Sequence, residues 1–263
     1  MNPVNLLLPF TPVRARWLKP MLVAQAAIAL VLWALAGSRT LPSPLEVAAA
    51  WVDLVQRQGL LAELWASVKV SLAALLVSTA AAVAVACLGT APMFMPLARL
   101  AAAMRFLGFA GLTYVFMLVS SDAHWLRVWL LAFGMFVFMV TALLAEIAAT
   151  PRERIDHCRS LGMRHWRITG EVVVLGKADV VLDLVRQNAA VGWTLLTLVE
   201  GMTRAEGGIG ALLLNQNRYF LLAGVFAIQL TILAYGLVQD ALLSLLKDAL
   251  CPWSRLGKEE GAQ

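Results

Sequence analysis

Charge is the scarcest commodity in this chain. Of 263 residues, 21 are Lys or Arg and 16 are Asp or Glu, only 14% together. Soluble domains carry about 25%, which argues against an ordinary water-soluble enzyme. A hydrophobic fraction of 61% excludes disorder as well. Cysteine is equally sparse. Cys87, Cys158 and Cys251 are odd in number and widely spaced, which rules out a disulfide framework and a zinc pattern. The three histidines, His124, His157 and His165, do not supply a convergent set of nucleophile, base or metal ligands. His157, Cys158 and His165 cluster in sequence, but they lack a fourth ligand, and neighbours on a helix point apart. They read as helix-surface side chains; no metal site and no catalytic residue is assigned. The segment from Gly170 to Ala178 imitates a phosphate loop. It has one residue too many between its glycines and Ala178 where a Ser or Thr should hold magnesium, so that reading is rejected.

What the chain has instead is apolar length. Six runs approach the roughly 20 residues that a membrane crossing needs: 21–36, 68–88, 97–119, 125–145, 184–202 and 220–239. The first also resembles a signal peptide, with Ala34-Leu35-Ala36 imitating a cleavage site; an uncleaved span is preferred because more spans follow. The expected fold class is therefore all-α: a polytopic membrane protein of about six transmembrane helices, with an amphipathic helix on one face and a two-helix loop on the other. The expected division is an N-terminal segment 1–20, a transmembrane domain 21–246 containing the loop 150–178, and a tail 247–263.

The few charges then give orientation. The net charge is +5, with a pI near 9.4. In a six-span arrangement Arg14, Arg16, Lys19, Arg99, Arg105, Arg152, Arg154, Arg159, Arg164, Arg167, Lys177, Lys247, Arg255 and Lys258 fall on one face. Only Arg39, Arg57, Lys69, Arg127, Arg204 and Arg218 fall on the other. The positive-inside rule makes the first face cytoplasmic and places both termini there. No soluble module gathers basic residues with base-stacking aromatics, so nucleic acid is not an expected partner.

Two segments read as helices off the membrane. Ser43 is a predicted N-cap, with Pro44 at the first helical position and Glu46 completing a capping box. Val47, Ala50, Trp51, Leu54 and Val55 recur at helical spacing, and Gly59 follows as a stop. Trp51 is either an interfacial anchor or part of a connector packed on the bundle. On the basic face, Thr150-Pro151-Arg152-Glu153 predicts a second capping box, and Gly162 a stop. Ile155, Cys158 and Leu161 form an apolar stripe, and a short helical stretch over 163–169 follows, with Trp166. Such a loop is too short to bury its own core. Its stripe needs a partner, either the bundle itself or another protein.

Among polar residues near or in spans, Arg186, Gln187 and Asn188 open the fifth run, and Asp183 is spaced to pair with Arg186 at i,i+3. Arg186, Trp193 and Glu200 are the candidate pathway residues, because intramembrane polar groups are costly. Each has a plainer alternative: Arg186 snorkelling to the surface, Trp193 packing, Glu200 at a solvated helix end. Glu146 reads as an interfacial, solvated residue closing the fourth run.

The loop also resembles a known family. Asp156, His157, Cys158, Arg159, Ser160, Leu161 and Gly162, followed by Val172-Val173-Val174-Leu175, resemble the cytoplasmic loop of the membrane-spanning subunits of bacterial ABC importers, nitrate/sulfonate/taurine branch. That loop reads Glu-Ala-Ala, then Gly, then Ile/Val-x-Leu-Pro. In the same frame Arg186, Trp193 and Glu200 fall where this branch often has Arg, Trp and Glu, and the stretch from Glu206 to Leu213 resembles its Gly-Leu-Gly turn. Leu41-Pro42-Ser43-Pro44 resembles the segment after its first span. Departures are evident: Asp-His-Cys replaces Glu-Ala-Ala, Leu175 and Asp179 replace prolines, and the Pro-rich start of span three is absent. The resemblance implies a permease subunit of the inner membrane, and a type-1-like transmembrane domain whose loop helix docks on a cytoplasmic ATPase. It implies no cofactor in this chain, ATP and magnesium being held by that ATPase. The other implied partners are a second permease copy or a paralogue, a periplasmic or lipid-anchored substrate-binding protein, and membrane lipid. The implied cargo is a small anion such as a sulfonate, taurine or nitrate. The rivals are an ATP-independent secondary transporter and a membrane scaffold without transport activity.

Overall fold

Hydrogen bonding explains why a chain with so little charge becomes all helix. In lipid every backbone N–H and C=O must be satisfied within the segment, and a helix does this unaided. The computed structural model describes residues 15–35, 41–120, 122–203 and 207–253 and contains no strand among them. Its elements are α1 (Ala15–Leu35), α2 (Pro44–Arg57), α3 (Leu60–Leu88), α4 (Met95–Ala103), α5 (Phe109–Val119), α6 (Ala123–Ala148), α7 (Arg152–Ser160), α8 (His165–Thr169), α9 (Ala178–Thr203), α10 (Ile209–Arg218) and α11 (Leu222–Leu250). The described residues are thus all helix, which is consistent with the helical membrane protein that composition implies.

Among the described residues three helices are long and apolar enough to cross a bilayer: α3, α6 and α11, of 29, 26 and 29 residues. At 1.5 Å per residue these are roughly 40 Å long, against a hydrocarbon core of about 30 Å. The remaining expected spans differ. The run 97–119 is not one straight helix: α4 and its short 3-10 extension meet α5 at a bend of 119°. Leu107 and Gly108 are both extended there (φ −72°, ψ 130°), which breaks the helical hydrogen bonding. α9 is long enough but carries Asp179, Asp183, Arg186 and Glu200. The apolar stretch of α1 runs only Pro20–Ala34, and residue 36 of the first run lies outside the described residues. α11 continues to Leu250, past the expected boundary at 246.

α3 and α6 pack side by side, and α9 lies against both. Val70, Ala74, Leu75, Leu131, Met135, Ala189, Trp193 and Leu196 form the shared core. Cross-links fix which ends belong together. Ser67 of α3 bonds Glu200 of α9, and Gln58 beside α3 bonds Gln216 of α10. At the other end Thr90 after α3 meets Thr169 of α8, and Lys177 before α9 meets Glu146 of α6. The second end therefore gathers Arg152, Arg154, Arg159, Arg164, Arg167 and Lys177, the densest basic group in the sequence.

α2 forms as its sequence predicts. Ser43 Oγ accepts from the Glu46 N–H, the Glu46 carboxylate accepts from the Ser43 N–H, and Pro44 sits in the first turn. Val47 and Leu54 are buried, and the Trp51 indole donates to Thr231 of α11 at 3.1 Å. Trp51 is thus bonded to the bundle, as the connector alternative has it.

Candidate functional site

The residues singled out by sequence divide between the two ends of the bundle. Glu200 belongs to the end away from the basic cluster. It is not a solvated helix end: its relative exposure is 0%. The Ser67 hydroxyl donates to its carboxylate at 2.7 Å, and the Gly210 N–H donates at 2.8 Å. The Ile209 N–H in turn donates to Ser67 Oγ at 2.9 Å, and the Gly208 N–H donates to Glu63 of α3. Three consecutive backbone donors at the start of α10 are thus satisfied by side chains from α3 and α9. Two of these partners are carboxylates, which also suit the positive end of a helix dipole. Buried Arg127 of α6 donates to the Gly207 carbonyl at 3.2 Å and closes the knot from a third helix.

Glycine makes this approach possible. Gly207 and Gly208 have φ of +74° and +104°, a region that side-chain-bearing residues rarely adopt. A Cβ at Gly208 would collide with the Glu200 carboxylate, and one at Gly207 would lie 2.6 Å from Glu63 Oε2. Sequence reasoning marked Glu200 and the glycine turn but missed Glu63, Ser67 and Arg127. The available signal was Glu63 and Ser67 four apart in the first turns of an apolar helix.

Further along α9, Trp193 is buried. Its indole donates to Gln239 of α11 at 2.6 Å, and its ring meets Tyr235 edge-on at 5.0 Å. Arg186 does not pair with Asp183. Its guanidinium makes a two-point contact with Asp240 of α11, Nε to Oδ1 at 2.7 Å and Nη2 to Oδ2 at 2.6 Å. Asp183 is taken instead by the largely buried Lys247 of α11. Glu146 is likewise partnered, by Lys177, which also donates to the Glu146 carbonyl. The structure therefore does not bring Arg186, Trp193 and Glu200 to one point; they mark successive levels of α9, spaced by seven residues each. Asn188, buried between them, has neither amide atom hydrogen-bonded.

The loop at the basic end is built differently. α7 contains no buried residue. It ends where expected: Gly162 has φ +73°, its N–H bonds the Arg159 carbonyl, and the Met163 N–H bonds the Cys158 carbonyl. That pair of bonds defines a Schellman stop. Its start differs from expectation. Pro151 is the N-cap rather than the first helical residue, and the Thr150 hydroxyl bonds back to the Glu146 carbonyl of α6, so no capping box forms. Asp156 pairs with Arg159 at 3.1 Å, both exposed. Within the apolar stripe, Ile155 and Cys158 are half-buried on the chain's own bundle, whereas Leu161 is 62% exposed; Trp166 of α8 is 59% exposed. His157 is on the exposed surface with Ser160, whose hydroxyl bonds the His157 carbonyl. The stretch 170–175 winds as a π-helical turn, and Gly176 ends it by bonding the Glu171 carbonyl at 2.7 Å. Among the described residues no three His, Cys, Asp or Glu side chains are grouped to hold a metal.

Between this loop and the turn after α3 lies a cavity of about 580 Å3, lined by Thr90, Pro92, Ile155, Trp166, Thr169 and neighbours. The loop is therefore hydrogen-bonded to the bundle at its two ends, with this cavity beside its middle. No protein-family model matches this chain, and no curated protein sequence matches it.

Proposed function

We propose that this chain is the permease subunit of an ABC-type importer, crossing a bacterial inner membrane six times with both termini in the cytoplasm. The observation that carries the reading is the α7–Gly162–α8 unit. It exposes Leu161, Trp166 and five arginines on the basic face, while Thr169 and Lys177 fasten its far side to α3 and α6. A short stiff element, anchored to membrane helices and open on one face, is suited to pass a partner's motion into the bundle. In this reading 156–162 docks on a cytoplasmic ATPase, which holds ATP and magnesium. ATP hydrolysis belongs to that subunit, and the chain has no catalytic residue of its own. A second permease chain completes the pathway, along which Arg186, Trp193 and Glu200 are candidates. A substrate-binding protein delivers a small anion such as a sulfonate, taurine or nitrate. The coupling resides in different contacts of α7 in two states of the bundle.

The test is purification of the chain from its native membrane, with identification of bound proteins and assay of cargo-stimulated ATP hydrolysis. A co-purifying ATPase whose stimulation is lost in Gly162→Pro is the expected result. Absence of any ATPase, or full stimulation in Gly162→Pro, overturns it.

The Arg186–Asp240 pair, which joins α9 to α11 at the edge of the expected spans, favours a second reading, an ATP-independent secondary transporter, because paired charges on membrane helices can mark ion pathways. Uptake that survives ATP depletion and follows an ion gradient would select it. A scaffold role without transport would show neither behaviour.

A further inference from the structure

The cavity of about 580 Å3 beside the loop has a chemistry of its own. One wall is the loop, with Ile155 and Arg159 of α7 and His165, Trp166 and Ile168 of α8. The other wall is the bundle, at the turn after α3 and the last turn of α6. Small-molecule sites occupy roughly 300–1,000 Å3 and are mostly apolar, with a few placed polar groups. This cavity fits that description. The hydroxyls that reach it are committed to protein. Thr90 donates to the Cys87 carbonyl at 2.7 Å, Thr150 to the Glu146 carbonyl at 3.1 Å, and Thr169 lies 3.2 Å from Thr90 Oγ1. Polarity for a ligand is left to Arg159 and His165. No Asp or Glu lines the cavity. The segment 150–178 around it carries six basic residues against three acidic ones. Asp156 accepts from one guanidinium nitrogen of Arg159, Nη1, so the fork still has donors for a second carboxylate.

We propose that this cavity binds a small water-soluble carboxylate with an aromatic or alkyl body, and that its occupancy holds the loop against the bundle. The carboxylate is received by Arg159 and the ring N–H of His165, and the body lies against Ile155, Trp166 and Ile168. The occupant follows from charge and position. An apolar chamber with a cationic rim and no acid selects a ligand that is apolar at one end and anionic at the other. A membrane phospholipid is the poorer match, because the bundle wall is formed by the ends of α3 and α6 and not by their middles. The regulatory effect follows from the two walls. A ligand that touches α7, α8 and the bundle together joins them, and α7 has no buried residue of its own to do so. The site goes beyond the permease reading and stands on the cavity, not on ATPase docking.

The experiment uses the purified full-length chain in phosphatidylcholine nanodiscs, with 2-naphthoate as the probe and calorimetric titration as the readout. Saturable binding of one probe per chain is expected, and the uncharged 2-naphthamide should bind at least about tenfold more weakly. Arg159→Gln should cost at least about tenfold in affinity, whereas Arg154→Gln, on the far side of α7, should cost less than about twofold. The Arg159 side chain is 57% exposed, so this variant keeps the fold. Val173→Phe, which fills the cavity, should abolish binding. With probe bound, tryptic cleavage at the arginines of α7 and α8 should slow at least about threefold. No saturable binding, equal affinity for the amide, or equal losses in Arg159→Gln and Arg154→Gln overturns the site. Unchanged cleavage with probe bound overturns its hold on the loop. Probe binding that persists when phosphatidylglycerol replaces phosphatidylcholine supports a soluble occupant. Displacement by phosphatidylglycerol assigns the cavity to lipid and overturns the proposal. Probe binding by a chain that captures no ATPase would sink the docking reading alone, and capture of an ATPase by a chain that binds no probe would sink this site alone.

Discussion

The two ends of the bundle hold their polar groups in opposite ways. At the end with Glu200, donors and acceptors from α3, α6, α9 and α10 are folded inward, and Glu63, Ser67, Glu200 and three backbone N–H groups satisfy one another. At the basic end, charges sit on a loop that Lys177, Thr169 and Thr150 hydrogen-bond to the bundle, with Ile168 buried beneath it. A buried, hydrogen-bonded polar cluster rigidifies, since breaking one member strands the others. A loop with no buried residue in its first helix can shift as a unit at small cost. One end is thus tied down by its hydrogen bonds and the other is held more loosely.

The largest expected effect lies at the fixed end. Gly208→Val puts a β-branched residue at φ +104° and drives its Cβ into the Glu200 carboxylate. Backbone strain of about 1–3 kcal/mol adds to the loss of a buried polar network, so a total above about 4 kcal/mol is expected. Thermal unfolding in detergent micelles should show the variant largely unfolded at temperatures where the parent is intact. A parent-like transition would mean that the knot is not what joins α10 to α3 and α9.

Next in size is Ser67→Ala. It removes the donor to Glu200 and the acceptor for the Ile209 N–H together, leaving both groups buried and short of a partner. About 2–3 kcal/mol is expected, since each stranded group costs roughly 1–3. Ser67→Thr, which keeps the hydroxyl, should recover part of it. Equal loss in both variants would point to packing rather than hydrogen bonding at this position.

At the movable end effects on stability should be small. Gly162→Ala forces a side chain into the left-handed conformation that ends α7, worth about 1 kcal/mol. Nothing lies within 4 Å of that Cβ, so no clash adds to it. Global unfolding should barely change, while limited proteolysis at the arginines of α7 and α8 should accelerate. Faster proteolysis with a markedly lowered unfolding temperature would show the loop to be part of the fixed structure.

The contrast between the ends also separates what sequence could reveal. Local rules read well: Ser43 and Glu46 cap α2, and Gly162 ends α7, because each bond spans only a few residues. The knot did not read, because Ser67 and Glu200 are 133 residues apart and Glu63 and Gly208 are 145 apart. Hydropathy placed an apolar run at 97–119 but carries no information on direction, so the 119° bend at Leu107 and Gly108 was invisible. Arg186 was expected to choose Asp183 by helical spacing. Tertiary packing brought Asp240 and Lys247 of α11 alongside, and each charge took the partner on the neighbouring helix instead. Thr150 shows the same competition within reach of local rules, since its hydroxyl bonds the preceding helix and not the following one.

The smallest expected change in stability carries the sharpest functional difference. Leu161 and Trp166 touch little of the chain, so Leu161→Asp or Trp166→Glu should alter unfolding by no more than about 0.5 kcal/mol. If the exposed face of α7 and α8 receives a partner, the same substitutions place a carboxylate on a surface that must be desolvated. Capture of that partner should then fall at least about tenfold, since burying an unpaired charge in an interface costs well over 1.4 kcal/mol. The equivalent change at the other end, such as Leu45→Asp on exposed α2, should leave capture unchanged, because it lies on the opposite face of the membrane in the proposed orientation. Measured side by side, the pair of variants asks whether the loop is a docking surface or merely an uncovered one. Undiminished capture in Leu161→Asp and Trp166→Glu would remove the partner from this face and leave the loop as a free lid over the inner cavity.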